Sequence, residues 1–180
     1  MMALKSRYLI LFIIFSAQWA FSQEPVMKEI FFYEIIEKSL QGDPSTPLIF
    51  DQYLIKRKYR SASSLKKYLE STRGSDLFNA DSQVPIRQDL VIKNCVIEGH
   101  LDLQDIAFEK SLNIYFTTMK DLMLSGTFNS INISNNTMQR VRVMNSVIKG
   151  NLIISENSSI FLNLLENTFS GHVSILNNDT

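Results

Sequence analysis

The chain has 180 residues, and its 18 lysines and arginines equal its 18 aspartates and glutamates in number. That balance disfavours a dedicated nucleic-acid-binding protein, which carries an excess of positive charge. Cys95 is the single cysteine of the sequence, which excludes an internal disulfide and leaves stability to packing and backbone hydrogen bonds.

The N-terminal residues have the three parts of a secretory signal. Lys5 and Arg7 precede an apolar run from Tyr8 to Phe15, and small and aromatic residues follow. We expect residues 1–22 to be a signal peptide that is cleaved after Ser22, with an uncleaved anchor as the alternative. The sequence therefore predicts a bacterial protein exported to the periplasm, the cell surface or the medium, with no integral membrane segment after cleavage.

Residues 23–84 are predicted to form a helical cap region. Residues 24–40 place apolar side chains near helical spacing, which indicates an amphipathic helix that Gly42 and Pro44 end. Residues 61–74 show the same pattern, with serines available as an N-cap and Gly74 as the stop. The predicted apolar stripes are Val26, Ile30, Tyr33 and Leu40 in the first helix, and Leu65, Tyr68 and Leu69 in the second.

The stretch between these helices, PLIFDQYLIKRKYR, allows two interpretations. Leu48, Phe50 and Ile55 have a mutual spacing that recurs at positions 101, 103 and 108. This spacing indicates an interrupted first copy of the repeat that follows Pro85. A short helix fits the stretch equally well.

Beyond Pro85, apolar residues recur about every five positions. Sixteen steps lead from residue 92 to residue 175, a mean of about 5.2 residues per step, and such a fixed period is the signature of a repeat architecture. The residues of this series are Ile92, Ile97, Leu103, Phe108, Ile114, Met119, Leu124, Phe128, Ile133, Met138, Val143, Ile148, Ile154, Ile160, Leu164, Phe169 and Ile175. A second apolar residue often stands two positions earlier, as at Leu90, Leu101, Leu112, Leu122, Ile131, Val141, Leu152, Leu162 and Val173.

This period excludes an amphipathic helix, since a five-residue step would turn the apolar face by about 140° around a helix. Residues two apart on an extended strand share one face, so each apolar pair predicts a short strand with both side chains inward. The pattern therefore predicts a mainly β fold, a parallel β-solenoid whose coils stack on one another. The many asparagines of the segment suit its corners, because Asn tolerates the left-handed backbone conformation.

The segment resembles the pentapeptide-repeat family, in which a small residue and then Asp or Asn precede a central Leu or Phe. Here Asp102 precedes Leu103, Asn113 precedes Ile114, and the sequence NCVI places Cys95 at the small-residue position. The resemblance covers roughly residues 88–178. It implies a right-handed quadrilateral β-helix over residues 85–180, and it implies no common reaction. A left-handed hexapeptide helix is the alternative, but it needs a steadier six-residue step.

Basic residues with interleaved tyrosines form a candidate interaction patch. Such a patch binds anionic lipid headgroups, acidic glycans or an acidic partner surface. A solvated helix face is the alternative. The members of the patch are Lys56, Arg57, Lys58, Arg60, Lys66, Lys67 and Arg73.

Four carboxylates are candidates for a polysaccharide-cleaving groove: Asp102, Asp105, Glu109 and Asp121. Strand alternation sends the Asp102 side chain outward, and the spacing predicts no basic partner near the group. An enzymatic site is therefore not expected here.

The remaining candidates for chemistry are two histidines and the cysteine. His100 and His172 each follow a glycine, and we expect both to be solvated corner residues rather than metal ligands or general bases. Cys95 is expected to be a small core residue rather than a nucleophile. No catalytic residue, metal site or cofactor is predicted.

The sequence thus predicts an exported, non-enzymatic β-solenoid that acts as a scaffold or interaction surface. Its expected partner is an unidentified protein or surface, and no nucleic-acid partner is expected. The predicted helices cover only the first coil, so either the chain is a fragment or its last coil associates end to end with another molecule. A polysaccharide-active β-helix enzyme is one alternative. A DNA-mimicking pentapeptide-repeat protein is the other, but it needs strong negative charge, and residues 88–180 hold only nine acidic against six basic residues.

Overall fold

A computed structural model describes residues 26–57, 62–74, 83–158 and 160–179. The predicted signal peptide lies outside these residues, as do Lys58 and Arg60 of the candidate patch. The fold is mainly β, with 54% strand and 14% helix, and its sheets are parallel.

The described residues form sixteen strands and two helices. The helices are α1 (Phe32–Gln41) and α2 (Ala62–Arg73). The strands up to the middle of the chain are β1 (Lys28–Phe31), β2 (Leu48–Asp51), β3 (Tyr53–Lys56), β4 (Val84–Ile86), β5 (Leu90–Lys93), β6 (Val96–Ile97), β7 (His100–Gln104) and β8 (Ile106–Tyr115). The later strands are β9 (Asp121–Ser125), β10 (Thr127–Ser134), β11 (Arg140–Met144), β12 (Val147–Ile148), β13 (Leu152–Ser155), β14 (Phe161–Leu165), β15 (Thr168–Phe169) and β16 (Val173–Leu176).

These strands form three separate sheets, and every strand pair in them is parallel. The smallest has the order β1-β3-β6, and a four-stranded sheet has the order β14-β11-β9-β7. The nine-stranded sheet follows the path β15-β12-β10-β8-β5-β2, with β13, β16 and β4 paired alongside it. Most successive strands along the chain therefore go to different sheets, whereas β4 and β5, β12 and β13, and β15 and β16 are successive strands of the nine-stranded sheet.

The strand registers repeat at a nearly constant interval. In the nine-stranded sheet Leu112 pairs with Leu90 and with Ile131, and Ile131 pairs with Leu152. In the four-stranded sheet Leu122 pairs with Leu101 and with Val141. The paired residues are thus 19 to 22 positions apart, about four of the 5.2-residue steps read from the sequence.

The core lies between the sheets and confirms the inward series predicted from the sequence. Its fourteen members from Ile92 to Ile160 are all buried. Phe108 and Phe128 stack within this core, with ring centroids 5.5 Å apart and planes 14° from parallel. The last three members are not buried: Leu164 is partly exposed, and Phe169 and Ile175 are 36% and 43% exposed.

The prediction that a helix begins near residue 24 is wrong. Residues 28–31 form β1, which pairs in parallel with β3 and sets Ile30 beside Ile55. Both isoleucines are buried. Pairing with a distant strand and burial of these side chains therefore override the local helical pattern.

The helix α1 ends at Gly42 as predicted, but it buries a different face. Its buried residues are Ile35, Ile36 and Ser39, whereas Val26 of the predicted stripe is 99% exposed and precedes the helix. At its start the Phe31 N–H donates a hydrogen bond to Glu34 Oε2 at 3.1 Å. This contact satisfies one of the N–H groups that a helix leaves open at its N-terminus.

The second predicted helix is confirmed as α2. Leu65 and Leu69 are buried, and Gly74 follows the helix with φ +87°, where its N–H donates to the Glu70 carbonyl at 3.0 Å. This is a left-handed cap that glycine adopts without strain. Neither helix in the described ranges is long and apolar enough to cross a membrane.

The stretch between the helices contains strands β2 and β3, so the short helix is wrong there and the strands of the alternative interpretation are present. Strand β2 pairs with β5, where Leu48 meets Leu90 and Phe50 meets Ile92. Strand β3 pairs with β6, where Ile55 meets Ile97. These partners are 42 residues apart, twice the usual interval, because α2 lies between them in the chain.

Residues with positive φ mark two corners of the chain, and asparagines hold some of them, as predicted. We call the first set the corner row. Each of its members directly follows a strand of the nine-stranded sheet. The corner row is Gln52, Asn94, Phe116, Asn135, Glu156 and Asn177, with φ between 48° and 62°. A second set directly follows strands of the four-stranded sheet and comprises Asp105, Asn145 and Glu166.

Candidate functional site

The described members of the candidate basic patch lie on β3, just after it, and on α2. Lys56 Nζ is 2.7 Å from Glu29 Oε1, and this hydrogen bond raises the pKa of Lys56. Arg57 and Arg73 lie 3.9 Å from Asp102 and Glu37. Acidic neighbours thus accompany three of these cations, which lowers the net positive charge that a ligand would meet.

Lys66 and Lys67 are on α2, where Lys67 is exposed and Lys66 is partly buried. An exposed lysine on a helix surface interacts with a partner mainly through long-range charge, which salt screens.

The four candidate carboxylates do not form one group. Asp102 lies on β7 beside Arg57, and Asp105 occupies the second corner. Glu109 is on β8 in the nine-stranded sheet, with Arg87 at 3.7 Å. Only Asp102 and Asp121 share a sheet, so the groove of four carboxylates considered from the sequence is not assembled.

Asp121 has two basic neighbours, contrary to the expectation that no basic partner would lie near the carboxylates. Arg140 Nε and Nη2 donate to its two carboxylate oxygens at 2.8 and 2.7 Å, and His100 Nδ1 is 2.5 Å from Oδ2. The Asp121 side chain is only 4% exposed. Hydrogen bonding from Arg140, and to a lesser degree the charges of Arg140 and His100, hold the pKa of Asp121 below its usual value.

This cluster follows from the strand register. His100 on β7 pairs with Asp121 on β9, and Asp121 pairs with Arg140 on β11. The sequence signal for it is the spacing of these residues, 21 and then 19 positions, which matches the interval between paired strands. His100 therefore contacts the Asp121 carboxylate and is not the solvated corner residue that we expected, whereas His172 is exposed as expected.

Buried asparagines form a ladder that sequence reasoning did not predict. Asn157 Nδ2 donates to the Ile133 carbonyl at 2.9 Å, and Asn157 Oδ1 accepts from the Asn136 N–H at 3.0 Å. Asn136 and Asn178 repeat this pattern on either side. We call Asn136, Asn157 and Asn178 the asparagine ladder. Each side chain satisfies backbone groups of the neighbouring stretch of chain, which would otherwise be buried without partners.

Cys95 is 2% exposed, and burial raises the pKa of its thiol, as a core position predicts. Its Sγ lies 3.1 Å from the Lys93 carbonyl and 3.5 Å from the Phe50 carbonyl. A protonated, enclosed thiol is a poor nucleophile. Within the described ranges no group of three His, Cys, Asp or Glu side chains is placed to hold a metal ion.

The last strands carry an apolar surface. Phe161 is 64% exposed, Leu165 50% and Ile175 43%. A groove of about 760 Å³ opens there, lined by Gln139, Ile160, Phe161, Leu162, Ile175, Asn177 and Asn178. Exposed apolar side chains therefore lie on the last strands, and three of the groove residues, Ile160, Phe161 and Leu162, are consecutive in the chain.

Comparison with family models, curated proteins and solved structures found no match for the chain.

Proposed function

We propose that the protein is an exported, non-enzymatic β-solenoid of the pentapeptide-repeat type that serves as a scaffold and associates through its C-terminal end. On this proposal the three parallel sheets are the walls of one stack, and each coil takes the 19 to 22 residues that separate paired strands. Export rests on the signal-like pattern of residues 1–22.

The observation that carries this function is the apolar surface of the last strands. Ile175 belongs to the inward series, yet it is 43% exposed, whereas Ile154 is fully buried at the paired position on β13. Ile175 on β16 pairs with Ile154, and among the described strands β13 is the one that β16 pairs with, so the other side of β16 is unpaired there. A surface of the same chemistry, presented by a second copy, would cover that side.

The placement of charge supports a scaffold over a polysaccharide-active enzyme. Asp102 and Asp121 are each accompanied by a basic residue, and Glu109 lies in a different sheet. A glycosidase instead needs two carboxyl groups that face each other across one scissile bond.

The test is the mass of the purified chain by size-exclusion chromatography with light scattering over a range of concentrations. We expect a dimer or larger assembly that Ile175→Lys converts to monomer, because a charged side chain in the covered surface opposes burial. Ile49→Lys is the matched control, since Ile49 is also an exposed strand isoleucine, at 54%, but is remote in sequence from the last strands. A wild-type chain that stays monomeric at high concentration contradicts the proposed association.

A further inference from the structure

Phe116 is the unusual member of the corner row. Three of the six positions in this row are Asn, which suits a left-handed backbone, and Gln52 and Glu156 are two of the others. Phe116 adopts φ +48° there, and 62% of its surface is exposed. Neither the backbone conformation nor the exposed ring favours folding, because a bulky residue is strained in the left-handed region and the ring gains little by burial.

The exposure of Phe116 is not a consequence of an uncovered end. The strand that precedes it, β8, is paired on both sides, so Tyr115 lies between Lys93 and Ser134. The neighbours of Phe116 in the corner row are Asn94 and Asn135, and both are exposed. The ring is therefore presented from the middle of the sheet, unlike Phe161 or Ile175.

The surface beside Phe116 is rich in neutral hydrogen-bonding groups. Tyr115 Oη donates to Asn113 Oδ1 at 2.9 Å and accepts from Asn132 Nδ2 at 3.2 Å. Ser134 Oγ continues this network by donating to Asn132 Oδ1 at 2.6 Å. We call Asn113, Tyr115, Asn132 and Ser134 the polar network.

The charges at the edge of this surface compensate each other. Lys93 Nζ is 3.1 Å from Asp51 Oδ2, and Asn94 Nδ2 donates to Asp51 Oδ1 at 2.8 Å. Asn94 and Asn135 are exposed, and an amide side chain carries both donor and acceptor atoms. Because Lys93 and Asp51 are paired with each other, they leave little net charge for a charged ligand.

We infer that Phe116, Asn94 and Asn135 form a binding site for a neutral glycan. The apolar face of a sugar ring carries C–H groups that pack on the negative face of an aromatic ring, and its hydroxyls pair with amides. Neighbouring members of the corner row are about 4.8 Å apart, the spacing of paired strands, so Asn94 and Asn135 lie on either side of Phe116 along the row. This inference rests on the proposed function. It adds the class of ligand that one face of the scaffold binds.

The experiment is isothermal titration of the purified full chain with cellohexaose, chitohexaose and maltohexaose, each up to about 10 mM, a range that detects millimolar dissociation constants. We expect one of the three to bind and Phe116→Asn to weaken that binding at least about fivefold, the loss of one aromatic contact. Phe116→Trp, which keeps an aromatic face, should bind like the wild type. Glu156→Asn is the matched control at the same corner, and it should leave the affinity unchanged.

Thermal unfolding separates this site from a structural role of the ring. Phe116→Asn relieves strain and removes an exposed apolar side chain, so its unfolding midpoint should rise by roughly 2–4 °C. A lowered midpoint would mean that the ring supports the fold, and it would overturn the inference. Absence of binding by all three oligosaccharides, or an unchanged affinity of Phe116→Asn, would overturn it as well.

Light scattering separates the glycan site from the association of the last strands. Phe116→Asn should keep the wild-type mass, since the proposed association uses Ile175. A lower mass for Phe116→Asn would mean that the ring contacts a second protein copy, which overturns the glycan inference and leaves the proposed association in place. A monomeric wild type that still binds the oligosaccharide would refute the association alone.

Discussion

Replacement of Asn157 by alanine tests the asparagine ladder, and we expect it to lower the free energy of unfolding by about 2–4 kcal/mol. Asn157 is 1% exposed, and its Oδ1 accepts from the Asn136 N–H at 3.0 Å. A buried N–H without a partner costs about 1–3 kcal/mol, and the lost hydrogen bond to the Ile133 carbonyl adds about 1 kcal/mol.

The assay is urea unfolding followed by circular dichroism, with the free energy obtained by linear extrapolation to zero urea. Asn129→Ala is the matched control, because Asn129 is an exposed asparagine in the same part of the chain. We expect that control to lie within about 0.5 kcal/mol of the wild type, as surface substitutions usually do. If Asn157→Ala is no less stable than Asn129→Ala, the ladder does not stabilise the fold and the reasoning is refuted.

Two further predictions concern titratable groups. Arg140 lowers the pKa of Asp121 in the native chain, so the ionised Asp121 carboxylate stabilises the fold at a pH above its unfolded-state pKa of about 3.9. This stabilisation is lost as the pH falls through the lower native pKa. Urea titrations from about pH 7 to pH 2.5 should therefore show a steeper acid loss for the wild type than for Asp121→Asn, and equal slopes would contradict the cluster. Burial raises the pKa of Cys95, so a thiol-specific disulfide reagent should label it slowly in the native chain and rapidly in denaturant. Fast native labelling would contradict its burial.

The inward series was predictable because its five-residue period is a local pattern. That period alone excludes a helix, and no distant residue has to be known. Every member from Ile92 to Ile160 is buried, and the strands occur where the apolar pairs predicted them. Strand β1 was not predictable, since residues 28–31 also fit a helix and only pairing with β3 decides between the two structures. The partner residues lie 25 positions away, beyond the range of a local pattern.

The cluster at Asp121 was missed for a different reason. A mean step of about 5.2 residues fixes the average interval between paired strands, but side-chain contacts depend on each interval separately. Arg140 follows Asp121 by 19 residues, two fewer than the 21 that separate Asp121 from His100. A prediction that used the mean interval would have placed Arg142 beside Asp121 instead.

Asparagine serves two roles in this chain, and composition does not distinguish them. Asn135 lies exposed at a corner with φ +57°, while the next residue, Asn136, is buried and bonded to the Ile114 carbonyl. The sequence indicated the first role, because left-handed corners favour asparagine. The second role depends on which backbone groups a neighbouring stretch leaves open, and that is known only once the strands are paired.

The asparagine ladder has a direction. Asn157 satisfies the Asn136 N–H and the Ile133 carbonyl, and both of these groups belong to the stretch of chain that comes before it. Each of these stretches is thus completed by the amide of the stretch that follows it. When the chain folds from its N-terminus, a stretch therefore closes only after about 21 further residues have become available to it.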